Sequence, residues 1–136
     1  MSPEQNILDL INFGMALVIW IVQVIIYPGL SHYPEERLKA WHALYTGRIS
    51  PFVVPLMLAQ LGLLAWGAYA GGGPAVHAML VMVLMAWGVT FKFSVPLHRR
   101  ITRGEDPLGA ARLLVRTNWP RTVLWTAVFL VGEFAR

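Results

Sequence analysis

Cysteine is absent from the 136 residues. Its absence excludes a disulfide framework, a thiolate nucleophile and any Cys-ligated metal cluster. Carboxylates are scarce: Glu4, Asp9, Glu35, Glu36, Glu105, Asp106 and Glu133 are all there are, and none falls midway along an apolar run. A small-molecule exporter coupled to ions would want a carboxylate there, and the chain also lacks a pair of broken hydrophobic helices, so a transporter reading is weakened. Internal repeats and low-complexity tracts are missing as well.

What the chain has is apolar length. Hydrophobic residues make up 57% of it, gathered into runs at 7–27, 51–70, 75–93 and 119–135. About 20 consecutive apolar residues cross the hydrocarbon core as a helix, so the sequence predicts four spans in a single domain, 1–136, with no room for a soluble one. Ten of the eleven Lys and Arg residues lie in 28–50 and 92–121, and Arg136 is the exception. Cytoplasmic loops are the cation-rich ones. Both basic loops are therefore expected inside and both termini outside. The N-terminus lacks the basic n-region and cleavage site of a signal peptide, so the first span is expected to be retained. The net charge of +4 places cations beside anionic lipid headgroups and does not call for nucleic acid.

The loops carry structure of their own. Gly71-Gly72-Gly73-Pro74 is a tight, uncharged outer turn with proline suited to a first helical position. Pro34-Glu35-Glu36 after Ser31 reads as a helix start. Leu38, Trp41, Leu44 and Tyr45 then come at helical spacing among charges, as in an interfacial helix. Asp106-Pro107 is a second capped start, with Leu108, Ala111, Leu114 and Val115 as an apolar stripe. Asn118-Trp119-Pro120 reads as a further cap, interfacial anchor and first-turn proline opening the fourth span. The expected architecture is all-α: an integral-membrane, antiparallel four-helix bundle with short interfacial helices on the cytoplasmic side.

Polar residues within the spans form stripes. Asn12, Ala16, Trp20, Gln23 and Tyr27 share one face of the first span, and Asn118, Arg121, Thr122 and Trp125 share one face of the fourth. Amides are costly in hydrocarbon unless partnered, so these faces should look inward. His42 and Tyr45 share a face with Arg48 one turn on. Gln60 aligns with His42 only if Pro51 and Pro55 introduce no kink. Ser94 and His98 close the third span. With both termini outside, these groups converge near the inner leaflet, while Asn12 and His77 are left toward the outer one. The stripes predict a pocket at the inner face, with Gln23, Tyr27, Tyr45, Arg48 and Trp125 as its walls.

Each sharp reading has a plain counterpart. His42 and His98 are candidate metal or haem ligands or a general base; imidazoles at the interface can equally be bonded to water, lipid or neighbours. Arg48 and Arg121 can clamp an anionic or carbonyl oxygen, or snorkel to headgroups; Arg121 has the better claim because it shares a face with Asn118 and Trp125. Met79, Met82 and Met85 invite a copper-relay reading, but a three-residue step drifts round the helix, which suits packing. The acidic pairs at 35–36 and 105–106 sit at helix starts, where capping suffices. His77 is expected to be solvated, and Trp41, Trp66 and Trp119 to form an aromatic belt.

The segments 42–57 (His42 to Met57), 95–104 (Val95 to Gly104) and 114–125 (Leu114 to Trp125) carry a resemblance. Its most specific residues are Pro96, His98, Ile101 and Gly104, together with Thr117, Asn118, Trp119, Arg121, Thr122 and Trp125. The chain resembles a bacterial family of small four-span membrane proteins, itself similar to the anthrone-oxygenase-like domain of unknown function named after fungal polyketide-pathway enzymes. The resemblance implies a multi-pass protein of the bacterial inner (cytoplasmic) membrane. It further implies an oxygenase that converts a lipophilic aromatic, such as an anthrone, to a quinone without a dedicated cofactor, with His42, His98, Asn118 and Arg121 as the residues carried over.

The residues and the resemblance together predict base-assisted oxygenation. His42 or His98 takes the proton, Arg121 and Asn118 stabilise the oxyanion, and O₂ meets the electron-rich carbon. The alternative is a non-catalytic binder of a quinone, haem, metal or lipid, or an accessory subunit of a membrane complex. Metal ligands, if any, would be His42 and His98. Four short helices bury little surface, which is compatible with a homo-oligomer, and Gly14, Gly62 and Gly67 would permit close helix approach.

Overall fold

A computed structural model describes residues 2–135; the Arg136 expected as a lone outer cation lies outside them. Among the described residues the chain is all-helical, with four long helices and no strand: α1 (Pro3–Leu30), α2 (Glu35–Tyr69), α3 (Pro74–Arg103) and α4 (Pro107–Phe134).

Local chemistry sets the ends. Ser2 Oγ accepts from the Gln5 N–H at 3.2 Å while Gln5 Oε1 accepts from the Ser2 N–H at 2.8 Å, a reciprocal cap before Pro3. Pro34 ends a short link, and Glu35 and Glu36 occupy the first turn of α2, where carboxylates favour the exposed N–H groups. Ser31 does not cap that helix; its hydroxyl donates to the Pro28 carbonyl. Gly71, at φ +84°, turns the chain out of α2, and Pro74 opens α3. Gly104, at φ +69°, ends α3, with the Glu105 N–H returning to the Arg100 carbonyl. Asp106 then caps α4, accepting from the Gly109 N–H and pairing with Arg100 at 3.3 Å.

The expected short interfacial helices are corrected. Segments 35–50 and 107–118 are continuous with the long helices rather than separate from them. Asn118 is therefore a residue of the helix interior and not a cap, and Pro51, Pro55 and Pro120 lie within unbroken helices. Each proline removes one backbone donor without ending its helix. Ser and Thr hydroxyls bond the carbonyls around them: Thr46 to His42, Ser50 to Thr46 and Thr117 to Leu113.

Two wider turns interrupt the regular pitch. Val22–Ile26 in α1 and Thr90–Ser94 in α3 are π-helical. An extra residue in a turn rotates the downstream side chains by roughly 100° relative to a regular helix. Both turns lie beside the polar groups singled out by the sequence.

Each helix packs on its sequence neighbours, and α4 closes against α1. Side-chain contacts fix alternating directions. Asn12, Gln60 and Trp125 meet at one level, while Tyr27, His98 and His42 meet at another. The core is a stack of three apolar clusters. Leu8, Leu64, Met79, Val83 and Val128 lie toward the 71–73 turn. Ile11, Met15, Ile19, Met57, Ala86 and Trp125 occupy the middle, and Leu30, Leu38, Ile101, Ala111 and Leu114 lie toward the basic end.

The helices α1, α2 and α3 are long and apolar enough to cross a membrane. Their outward faces carry Leu10, Phe13, Ile25, Phe52, Leu58, Val81 and Phe91, all exposed. Helix α4 is less apolar because Asn118, Arg121 and Thr122 lie in it, yet all three are buried among the other helices.

Candidate functional site

Buried polar side chains thread the bundle, and every one bears on a neighbouring helix. At the basic end of α1, Gln23 Oε1 accepts from Asn118 Nδ2 at 3.0 Å and from the Thr122 hydroxyl at 2.8 Å, while Gln23 Nε2 donates to the Val115 carbonyl at 3.1 Å. Asn118 Oδ1 accepts from Arg121 Nη1 at 3.0 Å, and the same nitrogen donates to Ser94 Oγ at 3.2 Å. The Arg121 guanidinium lies over the Trp125 ring, 5.1 Å from its centre, a favourable cation–π placement. Trp125 Nε1 donates to Gln60 Oε1 at 2.8 Å, Gln60 Nε2 to Asn12 Oδ1 at 2.8 Å, and Asn12 Nδ2 to Met79 Sδ at 3.8 Å.

A second chain consists of three groups. The Tyr27 hydroxyl is 3.0 Å from His98 Nε2, and His98 Nδ1 is 2.7 Å from His42 Nε2. Either the hydroxyl donates along the chain toward His42, or His42 donates toward Tyr27. Both polarities keep the same bonds, so a proton accepted at one end can be passed to the other. The far nitrogen, His42 Nδ1, is buried without a hydrogen-bond partner.

Between these chains lies a cavity of about 220 Å³. Tyr27, Tyr45, Ser94, His98 and Arg121 form its polar end, and Met15, Ile19, Val53 and Met57 line it toward the middle of the bundle. From Tyr27 to Met15 is twelve residues of α1, roughly 18 Å at helical rise, so the space is a slot with a polar head. Ser50 and Val54, both lining it, are exposed, which opens the slot sideways along α2.

The expected site residues divide cleanly. His98, Arg121, Tyr27 and Tyr45 line the slot. His42, Asn118, Gln23 and Trp125 are buried one contact behind it, each against a lining residue or its partner. His42 and Asn118 thus bond to His98 and Arg121 from behind and do not face the slot themselves. Arg48 is a correction: it is exposed and lines an outer groove with Trp41 and Phe52, because one turn beyond Tyr45 the face has rotated outward. Trp20 also leaves the predicted stripe. It is 41% exposed, since a four-residue step drifts about 40°, and its Nε1 donates to Thr126 Oγ1. Gln23, three residues on, returns to within about 20° of Asn12 at regular spacing, and the π turn keeps Tyr27 on the inward side.

Spacing alone leaves Asn12 isolated toward the outer leaflet and Gln60 out of line. Instead they bond one another in the bundle. The signal in the sequence is that each is a lone amide in an apolar run and so needs a partner. Among the described residues no three His, Asp or Glu side chains come together as a metal-ligand set, and the close imidazole pair is spent on its shared hydrogen bond. Met79 is buried, whereas Met85 is 56% exposed, the drift expected of packing residues.

Compared with family models, curated proteins and solved structures, the chain matches none.

Proposed function

We propose that the chain is a four-span protein of the bacterial inner membrane, with both termini outside, that binds a lipophilic aromatic in the slot near the inner leaflet and oxidises it. The apolar outward faces of three helices and the gathering of exposed cations at one end of the bundle support the membrane placement. The sideways opening along α2 suits a ligand that arrives from the bilayer.

The observation that carries the chemistry is the pairing of His98 and Arg121 across one cavity. His98 Nε2 exchanges its bond with Tyr27 for the acidic proton of a substrate, and His42 shares the positive charge. Arg121, aimed by Asn118 and Ser94, holds the oxygen on which negative charge develops. O₂ then reacts at the electron-rich carbon. For a methylene converted to a carbonyl, one O₂ is consumed and one water released. This is the reaction the anthrone-oxygenase resemblance implies. Oxygen uptake with anthrone, measured on the reconstituted protein, tests the proposal. Turnover unchanged in the double variant His42→Ala/His98→Ala overturns it.

The size of the slot favours a second reading. Ligand sites usually span about 300–1,000 Å³, and a cavity of about 150 Å³ already holds benzene. About 220 Å³ therefore fits a head of one or two rings better than three fused ones. In this reading the protein binds a quinone or phenol head without turnover. Saturable binding with no oxygen uptake selects it, and a Soret band in the purified protein would contradict it.

A further inference from the structure

Arg121 is buried, 6% exposed, and is the one buried Lys or Arg among the described residues. The guanidinium is always charged, and a buried charge is normally met by an opposite one. Here Arg121 has none. Its partners are Ser94 Oγ, Asn118 Oδ1 and the Trp125 ring, all neutral. Its Nε is buried and bonded to nothing. Among the described residues the ion pair is Arg100 with Asp106, in the exposed loop. Arg121 also lines the slot. Arg121 therefore brings a full positive charge to the slot with no counter-charge from the chain.

We infer that the occupant of this slot supplies the missing charge: it binds as a monoanion whose oxygen head meets Arg121, with an uncharged apolar body lying toward Met15 and Met57. The inference rests on the proposed binding site and narrows its ligand class to acidic phenols or enols, or to the same oxyanion chemistry in an alkyl carboxylate. Tyr27, Tyr45 and Ser94, at the same end, offer hydroxyl donors to the head.

The test uses the full chain in nanodiscs, with empty nanodiscs as the blank, and three probes: 4-nitrophenol, 4-nitroanisole and decanoate. The nitrophenolate absorbs visibly only when ionised, so its titration on the protein reads the bound form directly. Binding is expected to lower the probe's apparent pKa by about one unit, a tenfold preference for the anion, and 4-nitroanisole is expected to bind at least tenfold more weakly. Arg121→Gln should abolish the preference, and Arg121→Lys should keep part of it. Helix content by circular dichroism checks the variants, and the wild-type preference decides the matter even if Arg121→Gln fails to fold. Equal affinity for nitrophenol and nitroanisole overturns the inference while leaving an aromatic site intact. Decanoate binding without nitrophenol binding supports the anionic head and removes the aromatic reading. Failure of all three probes to bind overturns both.

Discussion

His42 Nε2 and His98 Nδ1 are 2.7 Å apart, joining two imidazoles 56 residues apart in sequence by one hydrogen bond. Only His98 of the two reaches the slot. The pair therefore stands in series, with one ring at the slot and the other behind it.

That order gives the two histidines unequal roles. General-base catalysis contributes about 10²–10⁴ in rate, so in the proposed oxidation His98→Ala should lower kcat by that factor. His42→Ala should cost less and shift the pH–rate profile, because it removes the partner that shares the imidazolium charge. Steady-state oxygen uptake across pH separates these outcomes; equal losses with an unmoved profile contradict the series arrangement.

Gln23 joins three groups of α4 with one amide. Hydrogen bonds between membrane helices average about 0.6 kcal/mol each, so Gln23→Leu should destabilise the bundle by about 2 kcal/mol. Leu10→Ala, on an exposed apolar face, should change it by less than about 0.5 kcal/mol. Equilibrium unfolding in mixed micelles reads both. A Gln23→Leu protein as stable as wild type would mean the network contributes nothing to stability.

The turn between α2 and α3 depends on two glycines. Gly71 has φ +84°, where a side chain costs about 1–2 kcal/mol, and a Cβ on Gly72 would stand 2.7 Å from the Gly67 carbonyl oxygen. Gly73 has open space around it. Gly71→Ala and Gly72→Ala should both lower unfolding stability, while Gly73→Ala leaves it within about 0.5 kcal/mol. Thermal unfolding of the three variants is the check.

Cysteine's absence makes topology easy to measure. Glu105→Cys, in the basic loop, should react with an impermeant maleimide only from the cytoplasmic side, and Gly73→Cys only from the outside. The reverse labelling pattern would invert the proposed orientation.

Helix existence is legible in the sequence because apolar runs of span length, prolines at first turns and glycines after last turns leave few alternatives. The stripe from Asn118 to Trp125 is legible too, since four polar or aromatic residues on one face of an apolar helix need an inward side. The π turns are not. Pro28 and Pro96 each stand two residues past one of them, and their rings displace the i−4 carbonyls of Val24 and Lys92 inside Val22–Ile26 and Thr90–Ser94, but a proline in an apolar run reads as a helix end rather than a wider turn. Without the first π turn, regular spacing carries Tyr27 about 60° away from Asn12. Helix continuity through Pro51, Pro55 and Pro120 is likewise hidden, because proline signals a break unless tertiary packing overrides it. The Asn12–Gln60 bond depends on the relative depth of two helices, which spacing within either one does not supply.

The slot itself can be filled. Val53 lines it, whereas Leu58 lies outside it and is 55% exposed. Saturable 4-nitrophenol binding, monitored by quenching of tryptophan fluorescence, should persist in Leu58→Phe and vanish in Val53→Phe with helix content unchanged. Undiminished binding in Val53→Phe would place the ligand elsewhere and leave the buried polar chains as no more than the internal bonding of a scaffold.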